Sequence, residues 1–372
     1  MLGLTYYGHV NDISGYAESN RNLISQLVSQ GVQVKLYSLR IDLPNAGLSP
    51  KQLQFFQRLT QTSEDLRWPV LQSMIAPAFR VFPGRYNIGL TMIETNGLAP
   101  AWVAACNRMD EIWVPSHFNR QGFIASGVAE EKVKVMPFGV DGERFRPGLS
   151  PLDIPERKGY TFLSIFDWRP RKGFEFLLQA FSEEFTSKDD VCLVLKVSNT
   201  AKLEPARLRR ELNRFYKPAP HKPKIIFLDQ VIGYADMPRL YSSGDCFVLP
   251  TRGEGWNLPA IEAMASGLPV ICTAWSAHLE YMNYTNSFLL NMERLEQAKP
   301  SGFWTDQFYN GFSWARPSVK HLRMLMRWVY QNRDEAKAVG AKARQDVLAN
   351  FTWAHSAARI KERLNQIANS GL

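Results

Sequence analysis

The chain is poor in the features that define several protein classes. Four cysteines, Cys106, Cys192, Cys246 and Cys272, are scattered through 372 residues, with no CxxC pair and no histidines at ligand spacing. A disulfide framework is thereby excluded, a metal site is not expected, and the thiols read as reduced core residues of a cytoplasmic protein. No window approaches the roughly 20 consecutive apolar residues that a membrane-spanning helix needs. The amino terminus lacks a charged stretch followed by an apolar one, so no secretory signal is expected either. Nothing resembles an RRM, KH or helix-turn-helix pattern, and nucleic acid is not an expected partner despite a net charge of +9. What is present is a hydrophobic content of 45% with 12% aromatics, enough for packed interiors, in a chain too long for one ordinary core. Two domains are expected.

The positive charge is unevenly placed. Residues 1–150 hold 14 Lys/Arg against 12 Asp/Glu, whereas residues 196–224 hold nine cations against Glu204 and Glu211. Those nine are Lys196, Lys202, Arg207, Arg209, Arg210, Arg214, Lys217, Lys222 and Lys224. A solvated basic face is the plain reading, and peripheral contact with an anionic membrane surface is the second.

The densest information lies at Arg252-Gly253-Glu254-Gly255-Trp256-Asn257-Leu258-Pro259-Ala260-Ile261-Glu262-Ala263-Met264-Ala265-Ser266-Gly267. Asp245–Pro250 upstream and Leu268–Cys272 downstream read as short buried strands, so the unit is strand, loop, helix, strand. Such parallel crossovers place their chemistry at the carboxyl end of the strand, where Glu254 falls. Pro259 suits the first helical position. Glu262 is the only charge between Leu258 and Cys272 and needs a hydrogen-bonding partner.

This segment resembles the paired-glutamate signature of retaining glycosyltransferases of the GT-B fold, family 4. The likeness extends to the Leu-Pro after the loop and to the Glu-Ala-Met-Ala-x-Gly that follows. It implies that Glu254 contacts the donor sugar and that Glu262 hydrogen-bonds the nucleotide ribose, with Gly255, Trp256, Asn257 and Leu258 completing the donor loop. The family commonly carries glycine where this chain has Asn257. Asparagine tolerates left-handed backbone better than other residues with a side chain, so the loop geometry is expected to survive.

A second cluster, Asp167-Trp168-Arg169-Pro170-Arg171-Lys172-Gly173, lies between an apolar strand at Thr161–Phe166 and an amphipathic helix from Phe174 to about Phe185. Three cations just before a helix N-terminus stand at the unfavourable end of its dipole unless an anion joins them. The resemblance implies an arginine and a lysine on the donor phosphates. Lys172 matches the lysine. Asp167 occupies the arginine's usual place, so Arg169 is the substitute, with Arg171 next.

The first domain begins with a strand at Leu2–Tyr7, a loop over Gly8–Tyr16 and a helix from about Ala17 to Gln30 closed by Gly31. The loop resembles the family's amino-terminal glycine loop, with Gly15 the position carried over. Residues 51–83 read as less regular, and Phe55, Phe56, Trp68, Phe79 and Phe82 there are either core or an acceptor- or membrane-facing surface. The histidine that lies near the reacting sugar in several relatives is replaced here by Glu94 or Thr95, which leaves His9 or His117 as stand-ins on the acceptor side. Asp229–Tyr234, with Ile232, matches a loop that touches the nucleotide base.

The expected architecture is therefore α/β, GT-B: two Rossmann-like doubly wound domains facing a central cleft. Residues 1–150 form the acceptor-side domain and 151–352 the nucleotide-sugar domain, joined by a linker near 148–159. The helix 353–372 packs back on the first domain. The expected function is retaining hexosyl transfer from a UDP- or GDP-sugar to a glycan, a lipid-linked glycan or a small molecule, with no cofactor and no metal. A glycoside hydrolase with paired carboxylates and an inactive nucleotide-sugar binder are the alternatives.

Overall fold

The computed structural model describes residues 2–39, 45–198, 205–299 and 304–370, and the side chains of 205–209 and 304–306 are outside that description. Two compact units divide the chain: Met1–Asp141 with Asn350–Leu372, and Gly142–Ala349.

In the first unit six parallel strands alternate with helices. They are β1 (Gly3–His9), α1 (Gly15–Ser29), β2 (Gln33–Leu39), α2 (Pro50–Gln61), β3 (Val70–Ser73), β4 (Asn87–Leu90), α3 (Pro100–Asn107), β5 (Glu111–Val114), α4 (His117–Ala125) and β6 (Val133–Val135). The sheet order is β2-β1-β3-β4-β5-β6, the reversal after β1 being the mark of a doubly wound sheet. Central strands bury nearly every side chain, as strands covered on both faces must. The segment 51–83 is more regular than its composition suggests. It contains α2, opened by a Ser49–Gln52 capping box, and β3. Phe56 and Phe79 are core residues there, packed by tertiary contacts that no local pattern announces.

The second unit repeats the plan. It comprises β7 (Tyr160–Asp167), α5 (Phe174–Glu184), β8 (Val191–Ser198), α6 (Pro205–Phe215), β9 (Lys224–Leu228), α7 (Met237–Tyr241), β10 (Cys246–Leu249), α8 (Leu258–Ala265), β11 (Val270–Thr273) and β12 (Phe288–Leu290). Its parallel sheet runs β12-β11-β10-β7-β8-β9. An antiparallel pair, β13 (Met292–Gln297) with β14 (Ser313–Pro317), and the helices α9 (Val319–Gln331) and α10 (Arg333–Asn350) follow.

The chain then returns to the first unit as α11 (Trp353–Asn369), which buries Trp353, Ala357, Ile360, Leu364 and Ile367. Lys361 Nζ donates to Gln30 O at 2.6 Å, and Gln30 Nε2 donates to Ala354 O at 2.9 Å. The division between units falls at Asp141/Gly142 rather than at 150/151. Residues 142–150 bond within the second unit: Arg344 donates to Phe145 O and Gly142 O, and Arg239 Nε donates to Ser150 O. All four cysteines are free and buried.

Candidate active site

Glu254 lies beyond the carboxyl end of β10, in a loop that ends where α8 begins. The residue is 3% exposed. A carboxylate so placed survives only with strong partners, and β7 delivers them. After Asp167 the chain makes a tight turn through Pro170–Lys172, and Gly173 opens α5 with φ +66°. A Cβ on Gly173 would stand 2.0 Å from Pro250 O, so only glycine lets this turn reach the exit of β10.

That approach brings Lys172 Nζ within 2.8 Å of both Glu254 oxygens. Arg171 Nη1 reaches Glu254 Oε2 at 3.0 Å and also donates to Gly253 O. Thr251 Oγ1 donates to Glu254 Oε1 at 2.8 Å. Backbone bonds lock the two loops together, Arg252 N donating to Arg171 O and Arg252 Nη1 to Pro170 O. Burial alone would raise the Glu254 pKa, but the charges of Lys172 and Arg171 prevail and hold it at about 2. Glu254 is thus ionised across the physiological range and serves as a fixed acceptor.

Arg169 goes elsewhere, with Nε on Asp167. The arginine against the carboxylate is Arg171, the second of the two considered. Chain spacing did not separate them, because the 3₁₀ turn aims residues two apart in different directions. Glu262 lies in the second turn of α8, past Leu258 and Pro259, with Pro259 second rather than first in the helix. Its Oε2 accepts from Tyr241 Oη at 2.7 Å. Asn257 caps α8 with φ +76° and ψ +64°, the left-handed conformation for which glycine is usual. Gly255 and Trp256 are buried and Leu258 is half-buried. Tyr281 Oη bonds the carbonyls of Trp256 and Asn257, each at 2.9 Å. Ile232 is half-buried in the loop before α7.

Two further residues were not singled out from sequence. Ser276 Oγ accepts from Glu254 N at 3.0 Å, and the buried His278 lies beside it. Both follow β11, so the strand-end rule that pointed to Glu254 would have found them had it been applied to the next strand.

In the first unit, Gly15 is the exposed first residue of α1. His9, at the end of β1, is half-buried, its pKa lowered by desolvation, with Nδ1 4.0 Å from Asp12. Glu94 is half-buried, and His117 is the exposed first residue of α4. Of the basic segment, Lys202 and Glu204 lie outside the described residues, as do the side chains of Arg207 and Arg209. Lys196 is buried and its pKa falls to about 8 by desolvation, so it is not part of a solvated face. Among the described residues no group of three or more His, Cys, Asp or Glu could hold a metal ion, and no helix is long and apolar enough to cross a membrane.

The family model described as glycosyl transferases group 1 matches residues 157–298, which include Lys172, Arg171, Glu254 and Glu262. The match covers less than half of the chain, which is similar to this family over that stretch. The chain is similar to mannosylfructose-phosphate synthase of Agrobacterium fabrum, with 25% identity over 61% of this chain and 52% of that protein. It is also similar to a GDP-mannose-dependent α-(1-6)-phosphatidylinositol monomannoside mannosyltransferase of Mycobacterium tuberculosis, with 26% identity over 68% of this chain and 61% of that one. The chain spans about half the length of the curated relatives it matches. Among solved structures, Anabaena Alr3699/HepE in complex with UDP-glucose superposes with a TM-score of 0.70 at 13% identity, covering 98% of this chain and all of that one. Sucrose-phosphate synthase of Thermosynechococcus elongatus gives 0.68 at 16%, covering both chains fully. The fold of the chain is GT-B, as in these structures.

Proposed function

We propose that this chain is a retaining hexosyltransferase that takes its sugar from a UDP- or GDP-linked donor bound by the second unit. One observation carries the reading: a buried carboxylate, Glu254, held by Lys172 and Arg171 where β7 and β10 end and α5 and α8 begin. Cations and helix N-termini together form an anion site suited to a diphosphate. The ammonium and guanidinium have donors beyond those used on Glu254, and these stabilise charge developing on the departing diphosphate. Glu254, kept ionised, accepts hydroxyl hydrogen bonds from the sugar. Glu262 does the same for the ribose, exchanging its Tyr241 partner or sharing it.

The relatives support the donor class in both its forms, one being a GDP-mannose-dependent enzyme and one structure being a complex with UDP-glucose. Retention without an evident enzymic nucleophile implies front-face attack, the leaving phosphate taking the acceptor proton. Transfer is expected to persist in a chelator, since these cations supply the positive charge. The acceptor is a glycan, a lipid-linked glycan or a small molecule, with any membrane contact peripheral. A glycoside hydrolase is disfavoured on physical grounds: its acid needs a raised pKa, and Glu254 has a lowered one.

The test is thermal unfolding with UDP, GDP and ADP, each at about 100 times its dissociation constant. Binding to the folded state stabilises by about 2.7 kcal/mol at that saturation. A shift with UDP or GDP names the base, and no shift with any nucleotide overturns the proposal. Glu262→Ala is expected to diminish the shift, and Glu254→Gln to leave it nearly intact while abolishing most transfer.

A further inference from the structure

Among the described residues three that are not glycine hold a positive φ: Glu156, Asn257 and Ser276. Asn257, at the N-cap of α8, lies in the left-handed region that asparagine tolerates. Ser276 is different: with φ +86° and ψ −163° it occupies a region that is nearly glycine-only. A serine persists in such a conformation only where its surroundings hold it there.

Those surroundings converge on Glu254. Ser276 Oγ accepts the Glu254 N–H at 3.0 Å, and Ala277 N donates to Glu254 O at 3.4 Å. The peptide groups on both sides of the Glu254 Cα are therefore fixed by one turn. Behind Ser276 stands His278, fully buried. Its Nε2 lies 2.6 Å from Thr273 O, a carbonyl that can only accept, so Nε2 carries the proton. Desolvation lowers the His278 pKa and keeps the ring neutral, which leaves Nδ1 as an acceptor. Ser276 Oγ is 3.4 Å from that nitrogen. The hydrogen bonds then have one direction: Glu254 N–H to Ser276 Oγ, Ser276 O–H to His278 Nδ1, His278 Nε2–H to Thr273 O.

We propose that Ser276 and His278 are positioning residues for Glu254, the strained serine holding the backbone of the donor-site carboxylate and the histidine fixing which way its hydroxyl points. The effect on catalysis rests on the transferase reading; the effect on the carboxylate does not.

Two variants separate strain from hydroxyl. Ser276→Ala keeps the unfavourable backbone and loses the hydroxyl, while Ser276→Gly loses both. The glycine variant is expected to melt a few degrees above the alanine variant, roughly the 2–4 °C that accompanies each kcal/mol in a unit of this size. In both, the Glu254 carboxylate, followed by ¹³C NMR, is expected to titrate above its value in the native protein. Transfer kcat is expected to fall on the order of tenfold to a hundredfold, the penalty for a misplaced reacting group. UDP or GDP affinity should stay within about twofold, a split that general loosening of the site would not produce. His278→Asn, which retains a side-chain acceptor for the serine hydroxyl, should lose less kcat than His278→Leu. An unchanged Glu254 titration in both serine variants overturns the positioning role. A raised titration, in a protein whose melting no nucleotide shifts, supports positioning and defeats the transferase reading instead.

Discussion

Glu254 keeps its charge in a place where burial alone would neutralise it, and that has a measurable signature. Its folded pKa of about 2 lies below its ordinary value of 4.5, so the unfolded chain binds the proton more readily. The stability it contributes is present in full above about pH 4.5 and is lost as pH falls toward 2, on the order of 3 kcal/mol in total. Denaturant unfolding of the native protein and of Glu254→Gln should therefore give a stability gap at pH 7 that narrows between pH 4.5 and 2. A constant gap would mean that the carboxylate is not held by Lys172 and Arg171. At the same scale, Asn257→Gly should be neutral or slightly stabilising, because glycine takes φ +76° without strain, whereas Asn257→Ala should cost about 1–2 kcal/mol. The place of Glu254 at a strand end was legible from local pattern, and the left-handed turn at Asn257 from the family resemblance. Arg171 was not separable from Arg169, and Ser276 and His278 were reachable only as residues after a strand end, since the bond that ties Ser276 to Glu254 spans 22 residues of sequence and only the fold creates it.

Elements meet at this site through small geometric permissions. The turn after β7 touches the exit of β10 only because Gly173 lacks a side chain. Gly173→Ala must both adopt a positive φ and displace the Pro250 carbonyl. It is expected to destabilise by more than about 2 kcal/mol and to separate Lys172 from Glu254, read as a lower melting temperature and a weaker nucleotide-induced shift. In the first unit the corresponding dependence lies between β5 and α11. Glu111 is 2% exposed and is held by Arg363 and by Trp113 Nε1. Arg363→Ala would leave a buried carboxylate short of its cation and is expected to cost about 3–5 kcal/mol. Strand and helix order was readable because alternating apolar runs and glycine stops are local signals. The regularity of 51–83 was missed because α2 exposes most of its length, burying only Phe56 and Leu59, and so looks polar and irregular in sequence.

At the scale of the whole chain, each unit is a complete doubly wound sheet, and the sequence revealed this through its repeated strand–loop–helix rhythm. The division was less exact, because residues 142–150 carry no regular element and their allegiance is set by side chains of Arg239 and Arg344 far along the chain. Removing residues 350–372 would strip α1 of its partner α11. Hydrogen exchange of that truncated protein should show lost protection across β1–β6 and retained protection across β7–β12.

The discontinuity of the first unit also orders events during synthesis. α11 is translated after every residue of the second unit, so the strands made first cannot acquire their last covering helix until the strands made later are already out of the ribosome. The second unit is contiguous and can complete itself at once. For this chain the usual amino-to-carboxyl progression of domain folding is inverted: the unit translated earlier is the unit completed later, and in the interval its apolar flank along α1 lacks its cover.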